Sequence, residues 1–158
     1  GVGSVFTITL PFEIAAEQPQ TEQPAPAKAK DISGLHLLLV EDNALNAEIA
    51  AALLADRGVS VELARDGSEA VQMFREAPAG TYAGIIMDIM MPVMDGLTAT
   101  RAIRALERAD AKTIPIIAMT ANAFEEDARQ CLAAGMNVHL AKPLCMEELV
   151  AILARLCA

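Results

Sequence analysis

Residues Gly84 to Gly96 read GIIMDIMMPVMDG. Gly84 to Met87 is a short apolar run rich in β-branched residues, the composition of a strand buried on both faces, and it stops at a carboxylate, Asp88. Pro92 cannot continue a ladder and Asp95-Gly96 is a turn signal, so the strand ends near Asp88 and hands over to a loop. An acid at the carboxyl end of a buried strand stands where open α/β sheets bind their ligands. An aspartate that merely caps the loop is the alternative reading, and the rest of the chain weighs against it.

Around this stretch, short apolar runs alternate with amphipathic helical ones five times. Strands are expected at His36 to Val40, Val59 to Ala64, Gly84 to Asp88, Ile114 to Met119 and Val138 to Ala141. Helices are expected at Ala44 to Arg57, Gly67 to Glu76, Leu97 to Arg108, Glu125 to Ala134 and Met146 to Leu156. Ile49, Leu53 and Leu54 are expected to share one face of the first helix, with Gly58 as its stop. Asp66 can cap the second helix, and Val71 with Phe74 forms its inward stripe.

Strict βα alternation implies an α/β fold, a doubly wound parallel sheet with helices on both sides. For five strands the common order is 2-1-3-4-5, whose switch point falls between strands 1 and 3. Chemistry should therefore sit just after those two strands.

Strand 1 ends in Val40 and is followed at once by Glu41-Asp42-Asn43, while strand 3 ends in Asp88. The switch point thus gathers Glu41, Asp42 and Asp88. Each pair of carboxylates repels by about 4 kcal/mol at 4 Å with an effective dielectric near 20. A divalent cation neutralises such a cluster, and an all-oxygen site of few protein ligands suits Mg²⁺, which keeps several waters. Strand 4 delivers Thr120 and strand 5 delivers Lys142, followed by Pro143. Together these residues describe a phosphoryl-transfer site, with Asp88 as nucleophile, Mg²⁺ and Lys142 holding phosphoryl oxygens, and Thr120 donating a hydrogen bond. Ala121 is small and leaves room for the phosphoryl group.

Four stretches, LLLVEDNALN (Leu37 to Asn46), MDIMMPVMDG (Met87 to Gly96), IIAMTA (Ile116 to Ala121) and GMNVHLAKPL (Gly135 to Leu144), closely resemble the motifs of response-regulator receiver domains. The resemblance covers about Leu35 to Leu156 and implies a flavodoxin-like (βα)5 fold. It implies Asp88 as the phosphoacceptor, and Glu41, Asp42 and Asp88 as Mg²⁺ ligands directly or through water, joined by the backbone carbonyl of Met90. Thr120 and Lys142 match the switch hydroxyl and the lysine of the pattern. One position departs from it: where receivers usually carry Tyr or Phe, three residues before the lysine, this chain has His139. Either its ring makes an altered switch, or it is a strand histidine that packs and hydrogen-bonds.

Gly1 to Glu13, GVGSVFTITLPFE, has strand-like alternation and resembles the last glycine box and following strand of the ATP-binding domain of sensor histidine kinases. Residues 14–34, rich in Ala, Gln, Glu, Lys and Pro, read as a flexible linker, and residues 35–158 as the receiver. This order looks like the C-terminal receiver of a hybrid histidine kinase. The class implies a phosphoryl group taken from the kinase's dimerisation and phosphoacceptor domain and passed to a histidine phosphotransfer domain. Neither His36 nor His139 lies in a helical phosphoacceptor context.

The 158 residues carry a net charge of −9, which argues against nucleic-acid binding, and 54% hydrophobic residues, enough for a sizeable core. Apolar runs stop short of the roughly 18 residues of a membrane span, and nothing resembles a signal peptide, so a soluble, cytoplasmic chain without membrane contact is expected. Cys131, Cys145 and Cys157 form no CxxC pair and fit a reducing compartment. Two other functions compete. Haloacid dehalogenase-type phosphatases need an acid two residues beyond the nucleophile, where this chain has Met90. A pseudo-receiver binding module would keep the fold without phosphorylation, yet every site residue is present.

Overall fold

The computed structural model describes residues 31–121 and 125–157. The strand-like segment Gly1 to Glu13 and most of the expected linker lie outside the described residues. Five parallel strands, β1 (His36–Val40), β2 (Ser60–Ala64), β3 (Gly84–Asp88), β4 (Ile116–Thr120) and β5 (Val138–Ala141), form one sheet in the order β2-β1-β3-β4-β5. Between and after them run α1 (Ala44–Ala55), α2 (Gly67–Glu76), α3 (Gly96–Arg104), α4 (Glu125–Ala134) and α5 (Met146–Leu156).

Each central strand alternates its side chains between two apolar layers. Leu38 and Val40 of β1, Ile85 and Met87 of β3, and Ile116 and Ala118 of β4 pack with Phe74 of α2, Ile103 of α3 and Cys131 of α4. On the opposite face Leu37, Leu39, Ile86, Ile117 and Met119 meet Leu54 of α1 and Leu149 and Leu153 of α5. Burial on both faces is why these strands read as unbroken apolar runs rather than as alternating ones. All five residues of β3 are buried, and Asp88 is the last of them.

Local chemistry sets the element ends. Asn43 caps α1 by accepting from the amides of Leu45 and Asn46, and Asp66 caps α2 by accepting from Ser68 and Glu69. Gly58, at φ +75°, turns the chain out after α1, as expected. Several boundaries differ from the expectation. β4 begins at Ile116 rather than Ile114, because Pro115 has no N–H for the ladder and contributes only its carbonyl, which accepts from Ile85 at 2.8 Å. The strand also runs on through Thr120. α3 starts at Gly96 and ends at Arg104, and a 3₁₀ turn, Ala109–Lys112, follows it. Arg108 leaves the helix to make a bidentate pair with Asp110 and to donate to the Phe74 carbonyl.

Two corrections concern packing. Ile49 and Leu53 do not share the buried face of Leu54; they are 51% and 39% exposed, while Ala47 and Leu54 are the residues α1 buries. Leu45, Ile49 and Leu53, spaced by four, form a separate apolar stripe open to solvent. Ile32, placed in the linker by its sequence context, is 4% exposed and belongs to the core layer of α1 and α5.

Candidate functional site

The register of the sheet brings the sequence-separated residues to one edge. Val40 pairs with Met87, Asp88 with Met119, and Thr120 with Ala141, so Glu41, Asp88, Thr120 and Lys142 leave four adjacent strands at nearly the same level. The backbone beyond the ladder continues the alignment: Glu41 N–H donates to Ala64 O at 3.1 Å, Ile89 N–H to Met119 O at 3.1 Å, and Lys142 N–H to Thr120 O at 2.8 Å.

Three carboxylates meet there. One oxygen from each of Glu41, Asp42 and Asp88 lies within 4.8 Å of the other two. Glu41 and Asp88 are buried, whereas Asp42 is exposed at the mouth. Lys142 Nζ lies between the buried pair, 2.7 Å from Glu41 Oε2 and 2.6 Å from Asp88 Oδ2. The remaining oxygens are also engaged: Asn46 Nδ2 donates to Glu41 Oε1 at 3.1 Å, and the Met90 amide donates to Asp88 Oδ1 at 3.2 Å.

Burial pushes the Asp88 carboxyl above its ordinary range, assisted by the nearby Glu41 charge and opposed by Lys142 and the Met90 amide. Burial alone would lower the Lys142 ammonium, but its hydrogen bonds to Asp88 and Glu41 outweigh that and raise it. The lysine therefore stays charged and compensates one of the two buried acids. Each of their oxygens keeps a second lone pair, so a second positive charge has a place between them and Asp42. Hard oxygen donors, two buried and one open to water, suit a small divalent cation such as magnesium.

Thr120 is buried at the end of β4, and Ala121, which follows it, is exposed. A small cavity of about 140 Å³ opens beside them, lined also by Ile89, Met90 and Leu97. Met90 is 75% exposed on the loop after Asp88. His139 sits half-buried in β5 opposite Ala118, with β4 between it and the strand that carries Asp88. Asn46, the last residue of the LLLVEDNALN motif, is a further contact of the site. Its signal was spacing, since the first turn of α1 folds back over Glu41. A larger groove of about 540 Å³ adjoins Glu41 and Lys142 and is walled by Ile49, Leu53, Met119 and Leu144.

Known proteins resemble this chain in sequence and in fold. Histidine kinase 5 of Arabidopsis thaliana is 31% identical over 167 residues, an alignment that covers 90% of this chain and 18% of that protein. The chain spans about a fifth or less of the length of that protein and of Two-component system protein A of Emericella nidulans, to which it is 39% identical over 151 residues. Among solved structures, the receiver domain of the sensor histidine kinase PA1611 from Pseudomonas aeruginosa, with a magnesium ion coordinated in its active site cleft, has a TM-score of 0.70 and 45% identity. That match covers 79% of this chain and 98% of the other. The receiver domain of Ssk1 from Saccharomyces cerevisiae, crystallised with the histidine phosphotransfer protein Ypd1, has a TM-score of 0.69 and 30% identity, covering 78% of this chain and 88% of the other. The family model for the response regulator receiver domain matches residues 37–154. With five parallel strands in the order 2-1-3-4-5 and the acids at the switch point, this chain belongs to the response regulator receiver domains of two-component systems.

Proposed function

We propose that Asp88 is the phosphoacceptor of this receiver and takes its phosphoryl group from a phosphohistidine with Mg²⁺ bound beside it. The observation that carries this reading is the juxtaposition of three carboxylates within 4.8 Å with a lysine that bonds both buried members. An Asp88 oxygen attacks phosphorus, the P–N bond breaks, and its electron pair returns to the imidazole nitrogen, leaving an acyl phosphate. Glu41, Asp42, Asp88 and the Met90 carbonyl would hold the metal, which supplies charge compensation for the phosphoryl oxygens. Lys142 exchanges a carboxylate oxygen for a phosphoryl oxygen, and the Thr120 hydroxyl turns toward the new group as a donor. His139, on the neighbouring strand, is either the residue through which movement of Thr120 would be felt or a strand histidine that packs and hydrogen-bonds.

The donor is a histidine on a helical partner: the dimerisation and phosphoacceptor domain of a kinase, a histidine phosphotransfer domain, or both in turn. The exposed stripe Leu45, Ile49 and Leu53 borders the groove that reaches Lys142, so an apolar helix face seated there would bring its histidine to Asp88. Among the described residues no helix is long and apolar enough to cross a membrane. We place the domain in the cytoplasm as the receiver of a hybrid histidine kinase, with no nucleic-acid ligand. Met90, exposed where a dehalogenase-type phosphatase needs a proton donor, has none to give, which disfavours a hydrolase.

Intact mass after incubation with phosphoramidate tests the reading. One added phosphoryl group is expected on the wild type with Mg²⁺, and none on Asp88→Asn or in excess chelator. No adduct on the wild type, with fluoroberyllate also failing to bind, would leave a pseudo-receiver that recognises a partner without phosphorylation.

A further inference from the structure

Gly67, the first residue of α2, stands outside the carboxylate cluster but touches the loop that carries Met90. Its backbone is not in the left-handed region, so conformational freedom does not explain the glycine. Space does. A Cβ at Gly67 would lie 2.6 Å from the Met94 carbonyl oxygen and 2.7 Å from Ala99 Cβ, closer than atoms pack. Without that carbon, the Gly67 amide donates to Met94 O at 3.1 Å.

Met94 is itself held by a tight bend. Its amide donates to Pro92 O at 2.7 Å across Val93, whose φ is +66°. The same loop is closed at its base, where Gly96 N–H donates to Ile89 O at 3.0 Å. A Cβ on Gly96 would fall 2.1 Å from Asp88 O, so the base is as close-packed as the apex. The segment from Asp88 to Gly96 is therefore clamped at two points, by its own glycine at the base and by the β2–α2 turn at the apex. Met90 lies between the clamps, its amide on Asp88 Oδ1.

We infer that Gly67 is a positioning residue for the phosphorylation site: by seating the Met94 carbonyl it fixes the loop whose Met90 peptide flanks Asp88, and so sets the site's affinity for a divalent cation. This rests on the reading that Met90 offers its carbonyl to Mg²⁺. Any displacement of that loop is also delivered to the first turn of α2, which meets the loop at the Met94 carbonyl.

Calorimetric titration with Mg²⁺ separates this role from simple helix packing. Gly67→Ala is expected to bind Mg²⁺ about tenfold more weakly, the lower end of what loss of an outer supporting contact costs a metal site. Ala99→Gly should bind as the wild type does. The double variant Gly67→Ala/Ala99→Gly removes the clash with α3 and keeps the clash with Met94 O, so it should remain weak. Recovery in the double variant, or wild-type affinity in Gly67→Ala, would overturn the inference. A measurement on the wild type covers the case in which a variant does not fold. The amide resonance of Gly67 should shift during the titration with the same midpoint as that of Met90, and a stationary Gly67 amide counts against the proposal. A wild type that binds no Mg²⁺ would instead remove the functional reading on which it stands.

Discussion

Lys142 donates to Asp88 at 2.6 Å while also donating to Glu41 at 2.7 Å, so one cation bridges two buried acids from the ends of different strands. Removing it leaves Glu41 and Asp88 facing each other without compensation. Breaking a buried ion pair costs about 3–5 kcal/mol, and the partial exposure of the lysine reduces that to about 2 kcal/mol here. Lys142→Met is therefore expected to melt early in chelator, and saturating Mg²⁺ should restore more stability to it than to the wild type. Equal Mg²⁺ responses in thermal melts would mean the ion does not share the lysine's charge-neutralising task.

Asp42 stands at the mouth, exposed, whereas Glu41 and Asp88 are buried. Its substitution should separate metal binding from folding. Asp42→Ala is expected to raise apo stability by about 1 kcal/mol rather than lower it, because it removes an exposed carboxylate that repels Glu41 and Asp88. Its Mg²⁺ affinity should fall about tenfold or more, and phosphoramidate labelling with it. Calorimetry alongside denaturant unfolding distinguishes the two effects.

The α1 stripe gives a prediction about partners. Ile49 is 51% exposed on the wall of the groove beside Lys142. Ile49→Asp should leave labelling by phosphoramidate unchanged, because no reacting group is touched. Transfer from a phosphorylated histidine phosphotransfer domain should slow at least about tenfold, as expected when a charge is placed in an apolar contact centre. Equal transfer rates would move the docking face elsewhere.

Val93 is a β-branched residue at φ +66° and 86% exposed. It bears the cost of a left-handed conformation, about 1–2 kcal/mol, with little burial in return. Val93→Asn keeps the bend with a residue that tolerates it, so the urea midpoint should rise by the equivalent of about 1 kcal/mol. A fall would show that the valine methyl groups matter more than the strain.

Asp110 provides a pH test away from the site. The bidentate hydrogen bond from Arg108 lowers its carboxyl to about 2 from an ordinary 3.8. The folded form is thus the stronger acid, and the pair's stabilisation is complete above the unfolded value. It is lost as pH falls from about 4 toward about 2. Asp110→Asn should lower Tm at neutral pH and flatten its decline across that acid window.

The strand-end carboxylates were legible because two local rules coincide: a doubly buried strand must be apolar, and a polar residue ending it must have a reason. His36 to Val40, Gly84 to Asp88 and Val138 to Ala141 fall where the pattern puts them, and the strand order is the 2-1-3-4-5 that is common for five alternating strands. Glu41, Asp42, Asp88, Thr120 and Lys142 could be named for the same reason. What the pattern missed depends on partners distant in sequence. Nothing in α1 itself distinguishes Leu54, which meets the sheet, from Ile49 and Leu53, which face the groove; helical spacing allows either rotation of the apolar stripe. The early end of α3 reflects Arg108 reaching back to the α2 terminus, a contact across 34 residues.

The amino-acid order by itself determined the element types, the βα alternation and the identity of the acids and the lysine, since hydrophobic period and strand-end chemistry are local properties. Only the tertiary structure decided that Lys142 bonds both Glu41 and Asp88, that Asn46 holds the far oxygen of Glu41, and that Gly67 is required by the Met94 carbonyl. Those are distances between chain segments, and they are set by how the two helical layers close over the sheet.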